Sequence, residues 1–138
     1  MRIHMKFKVV ISLLVVSLLG VACSNSRIKQ GVQVADKFIE NYYRADYVQA
    51  MEYAEPNLAE LVKEAQQAVD ELPEEIKEEL HTLSSEIEVI QKEFKEGDSG
   101  EVMVWYDVIV PADGEIINHL VTVIFSEERQ KWEVVEIR

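Results

Sequence analysis

Between residues 28 and 42, apolar side chains return every three or four positions. Ile28, Val32, Ala35, Phe38, Ile39 and Tyr42 fall on one side, with Lys29, Asp36, Lys37 and Glu40 on the other. That period predicts one long amphipathic helix. Asp46 then stands where it would cap a short second helix carrying Val48, Met51 and Tyr53, which Pro56 stops. Asn57 and Glu60 have the spacing of a capping box for a third helix, whose stripe is Leu58, Leu61, Val62, Ala65, Val69 and Leu72. In PEEIKEELHTL, Pro73 suits a first helical turn, and two acids follow where the helix dipole favours them.

From about Ser85 the period falls to two. Four runs rich in branched and aromatic residues follow, SEIEVIQKEFK, EVMVWYDVIV, EIINHLVTVIFS and KWEVVEIR. The connections EGDSG, PADG and EERQ are short, so the strands are expected to form an antiparallel meander. Helices first and sheet last make an α+β domain, with the long first helix lying on one face of the sheet.

The amino-terminal stretch has neither period. Arg2, Lys6 and Lys8 precede an apolar run of 14 residues, Val9 to Ala22, where a membrane span needs roughly 20. A positive start, a short apolar centre and small residues before a cut site describe an export signal over residues 1–22. Gly20 and Ala22 lead directly into Cys23, the single cysteine, and this stretch resembles the lipobox of bacterial lipoproteins. The resemblance implies a diacylglycerol on the Cys23 thiol and cleavage just before it. Gly20 stands where leucine is usual, with Leu19 one place further out. Residues 23–27 then form the lipidated cysteine and a polar tether, and 28–138 a single domain. A lone cysteine allows no internal disulfide, so the fold must rest on its core.

Removing the signal takes three cations and no acid, leaving 116 residues whose net charge moves from −12 to −15. So acidic a surface repels phosphate backbones and anionic headgroups, which excludes nucleic acid and any membrane contact other than through the lipid. The expected location is a bacterial cell envelope, on a periplasm-facing membrane leaflet, as a monomer or weak dimer.

The order of a long amphipathic helix, the phrase ADYVQAMEYA, and a sheet ending in QKWEVVEI resembles the nuclear transport factor two-like, or cystatin-like, superfamily over residues 28–138. The resemblance implies a curved four-stranded sheet wrapped around the helices as a cone, whose open end can hold a small ligand. Some members of that superfamily are isomerases or dehydratases, and many have no known catalysis.

Signatures of catalysis are missing from the residues. There is no phosphate-cradling glycine loop, no paired-cysteine zinc pattern and no nucleophile elbow, and beyond the signal only His81 and His119 remain as histidines. The carboxylates of DELPEEIKEEL lack the interleaved glycines of a calcium loop and read as a solvated helix face. No metal or cofactor is expected. One constellation follows from hairpin arithmetic. A three-residue loop, Ala112 to Gly114, sets Pro111 against Glu115 and Asp107 against His119. Phe125 then opposes Trp132 and Glu136 joins the same face, giving a ligand surface of Trp105, Asp107, His119, Phe125, Trp132 and Glu136. A two-residue Asp-Gly turn would shift the register by one and separate Asp107 from His119. As a cross-strand pair alone they would contribute only about 0.2–1 kcal/mol.

Three functions compete. The first is a noncatalytic module, tethered at the envelope, that binds a small ligand or a protein. The second is an isomerase or dehydratase with Asp107 as base and His119 as polarising acid. The third is a structural subunit whose acidic helices dock on a basic partner. A cavity lined by the aromatics favours the first two.

Overall fold

The computed structural model describes residues 26–138, so the export signal and Cys23 lie outside the described residues. Helix α1 covers 26–43, α2 Tyr47–Met51, α3 Pro56–Asp70 and α4 Glu74–Ser85. The strands are β1 Glu88–Glu96, β2 Val102–Val110, β3 Glu115–Ser126 and β4 Lys131–Ile137. They form one antiparallel sheet in the order β1-β2-β3-β4. The fold is α+β, with the helices before the sheet. Residues 31–138 make one compact unit.

The start of the helical region differs from expectation, because residues 26 and 27, assigned to the tether, are already helical. Arg27 and Lys29 are good helix formers and nothing in SRIKQ breaks the period. Asp46 caps α2 as expected, its Oδ1 accepting from the Gln49 amide at 3.4 Å. The cap of α3, however, is Glu55 rather than Asn57. Its carboxylate accepts from the Leu58 amide at 2.7 Å, and Pro56 takes the first helical position, where a missing N–H costs nothing. Pro56 thus starts a helix instead of merely stopping one.

The core lies between α1 and one face of the sheet. Ala35, Phe38 and Ile39 are sealed against Val102, Val104, Val108, Val121, Val123 and Val134, all fully buried. Gly31 lets α1 approach closely: a Cβ there would stand 3.1 Å from the Trp132 ring and 3.2 Å from Val102. Ala54 pairs with Val134 in a short parallel bridge. The Val134 amide donates to the Tyr53 carbonyl at 2.8 Å and the Glu55 amide to the Val134 carbonyl at 2.9 Å, which covers the β4 edge. The β1 edge is blunted differently, by a bulge between Gln91 and Glu93 and by alternating charge.

Two registers decide which side chains share a face. In the β2–β3 hairpin Val110 pairs with Glu115, leaving the four-residue loop Pro111 to Gly114. Pro111 has no N–H to complete a pair with Glu115, so the ladder closes one residue earlier than the three-residue loop requires. Gly114 takes the left-handed conformation, φ 64°, as the turn demands. Asp107 therefore pairs with Asn118, and His119 with Tyr106. Between β3 and β4, Phe125 does oppose Trp132 and Val123 opposes Val134. A bulge then follows, so that Glu136 pairs with Thr122.

Candidate functional site

These registers divide the six residues predicted to line one ligand surface. His119, Phe125 and Trp132 share the inner, helix-covered face with Tyr106 and Val121; Trp105, Asp107 and Glu136 belong to the outer face with Leu120 and Thr122. The expected Asp107–His119 pair is thus corrected: the two point to opposite sides of the sheet. The expected company of Glu136 with the inner aromatics fails for the same reason, one extra residue in a ladder inverting every side chain beyond it.

On the inner face the polar groups are engaged with α1. The Tyr106 hydroxyl donates to Asp36 Oδ1 at 2.5 Å, and the Gln91 amide, correctly oriented, donates to the same carboxylate at 3.0 and 3.2 Å. Burial raises the Asp36 pKa, against which the Tyr106 hydrogen bond acts. Tyr106 is driven far upward by burial and by the adjoining carboxylate, so its phenol stays protonated and donates. His119 Nδ1 lies 2.7 Å from the Arg138 carbonyl, an acceptor only, so Nδ1 carries the proton. Nε2 then accepts from the Tyr43 hydroxyl, whose pKa burial also raises. Both ring nitrogens are committed to hydrogen bonds that hold α1 and the chain after β4 together. Trp132 is 8% exposed and meets Phe125 edge-on at 5.8 Å. A small cleft of about 190 Å³ between the end of α1 and the start of β1 is bordered by Glu40, Tyr43, Arg44 and Glu88.

The outer face is different in kind. Antiparallel sheets with one solvated face usually turn polar residues outward. Here Met103, Trp105, Ile109 and Leu120 are half-buried, while Ile90, Ile116 and Ile124 are exposed on the same side. Segments 105–107 and 118–120, with Lys92 and Arg138, border a shallow hollow of about 390 Å³. Lys92 Nζ pairs with Asp107 Oδ2 at 3.4 Å, and Arg138 Nε with Glu136 Oε1 at 2.5 Å. At the far end Glu133, only 1% exposed, is gripped by Arg129 through Nε–Oε1 at 2.5 Å and Nη2–Oε2 at 2.8 Å.

Sequence reading passed over the Asp36–Tyr106–Gln91 cluster. Asp36 falls on the polar side of the helical period, and no spacing joins positions 36, 91 and 106. Glu133 was missed because it alternates with Trp132 and Val134 as a solvated strand position would. Among the described residues no group of three His, Cys, Asp or Glu side chains is arranged to hold a metal, and no helix is long and apolar enough to cross a membrane. Comparison with protein-family models, with curated proteins and with solved structures found no match.

Proposed function

We propose that this protein is a noncatalytic binding module, held at a bacterial envelope membrane by lipid on Cys23, whose outer sheet face engages a protein partner. The observation that carries the reading is the open apolar face around Trp105 and Leu120. Contiguous apolar surface of this kind on a soluble domain marks an interaction site, because leaving it in water forgoes about 25 cal/mol for each Å² that a partner could cover. The hollow there is shallow and walled by one sheet, which suits a protein surface better than an enclosed small molecule. The envelope location rests on the short apolar run and on Gly20-Val21-Ala22-Cys23, and the cone-like superfamily resemblance is compatible with a binding role. An isomerase or dehydratase built on Asp107 and His119 lacks a common site for its two groups, since they face opposite sides of the sheet.

The reading is tested by placing a photo-crosslinking amino acid at position 105 and, separately, at the exposed turn position Asp98 of the full chain in cells. Protein adducts are expected from 105 and not from 98. Equal yields from both positions would remove the outer face as a specific surface.

A further inference from the structure

Helix α4 carries one apolar stripe, Ile76, Leu80 and Leu83, at the four- and three-residue spacing of a single helix face. Ile76 and Leu83 are each 44% exposed and Leu80 is half-buried, so the described residues leave much of this stripe in water. It stands in the most acidic part of the chain. Residues 56–86 hold nine acids against Lys63 and Lys77, and Lys77 is already paired with Glu74 at 3.2 Å. Over all four helices, residues 26–86, there are fourteen acids against six bases. Each strand holds one acid more than its bases, so no element among the described residues, packed beside α4, would reverse the sign. Glu75, Glu79 and Glu86 fall within a narrow arc of the helical turn and run along one border of the stripe.

We propose that α4 docks a basic amphipathic helix of another protein. Its apolar residues cover Ile76, Leu80 and Leu83, and Lys or Arg along its edge meets Glu75, Glu79 and Glu86. Charge selects the sign of this partner. A second copy of the chain, or a bilayer of anionic lipid, would bring negative charge against negative charge, whereas a basic segment is attracted from a distance and held at the border of the stripe. The backbone selects its form. The middle of a helix has no free N–H or C=O to offer, so an extended segment laid across α4 would leave its own backbone groups unpaired against apolar side chains. A helix satisfies its backbone internally and presents apolar residues at the matching spacing. This surface is separate from the outer sheet face and does not rest on the reading of that face.

The test uses the full-length chain in a non-ionic detergent and three fluorescent peptides of equal length. The first is helical, with leucines spaced by four and three residues and lysines on the flanks. The second has serine for each leucine, and the third glutamate for each lysine. Fluorescence anisotropy is expected to show binding of the first peptide alone, weakening as salt is raised. Ile76→Ser combined with Leu83→Ser is expected to weaken it about tenfold or more, because two apolar contacts are lost. Glu75→Lys combined with Glu79→Lys, both exposed positions, is expected to weaken it as well, and thermal melting verifies that each variant is folded. Ile124→Ser, at a 40% exposed position of the outer sheet face, is expected to leave binding unchanged. Equal binding of the leucine and serine peptides would reduce the contact to bulk attraction of opposite charges and overturn the site. Equal binding of the glutamate peptide would overturn the choice of a basic partner. Loss on Ile124→Ser without loss on the α4 variants would move binding to the outer face and overturn the proposal while supporting the outer-face reading. Binding of none of the peptides would overturn the proposal alone, since the crosslink at position 105 tests the outer face separately.

Discussion

Trp132 closes the inner side of the sheet near the start of α1, and its ring has little freedom. Phe125 packs edge-on at 5.8 Å, and the Gly31 backbone approaches so closely that even a methyl group would press on the ring at 3.1 Å. Trp132→Ala removes an aromatic volume that no neighbour can refill, because Val102 and Val134 beside it are short and already fully buried. A loss of about 3–5 kcal/mol is expected, out of the roughly 5–15 kcal/mol typical of a domain. Trp132→Phe, keeping much of the ring, is expected to cost considerably less. Urea unfolding of both variants checks this, and an unchanged midpoint for the alanine protein would mean that the ring is not part of the core.

At the scale of elements, α1 is fastened to the sheet by both apolar and polar contacts. Phe38 and Ile39 supply the first, and Asp36 with Tyr106 the second. Because burial raises the Asp36 pKa above its ordinary 3.8, the folded chain binds that proton more tightly than the unfolded chain. The stability linked to Asp36 protonation is therefore fully present below about pH 3.8 and is lost as the pH rises through the folded value. Asp36→Asn retains an acceptor for the Tyr106 hydroxyl and abolishes the titration. Relative to the parent, the variant is expected to gain stability as the pH is raised from that acid limit through the folded value, and to hold that gain above it. Urea midpoints measured across the range give the trend directly; a difference independent of pH would show that the carboxyl is not held in a desolvating site.

For the whole molecule, one thiol is proposed to determine where the domain acts. If lipid on Cys23 is the anchor, Cys23→Ser removes the attachment atom, and no helix among the described residues can replace it by spanning a bilayer. The variant is expected to leave the membrane fraction and to take up no palmitate analogue. Label persisting on the serine protein would sink the lipid-anchor reading. Attachment by lipid would also leave the apolar outer sheet face available to a partner.

The order and kind of the elements were legible in the chain, since a change of hydrophobic period from 3.6 to 2 is a local property of the residues. The strand limits at 102–110 and 115–126 follow almost directly from EVMVWYDVIV and EIINHLVTVIFS. Local signals also placed the Asp46 cap and the pairing of Phe125 with Trp132. Which face each strand residue occupies was settled elsewhere. A proline that cannot donate at position 111 and a bulge between Thr122 and Val123 each moved a ladder by one residue, inverting the side chains that define a site. The Asp36–Tyr106–Gln91 cluster and the burial of Glu133 by Arg129 depend on how α1 and the last turn pack against the sheet, contacts that no spacing along the chain encodes. Tertiary structure alone decided that the described residues would leave the apolar outer positions of β2 and β3 uncovered, because α1 has one apolar stripe and can bury only one face of the sheet.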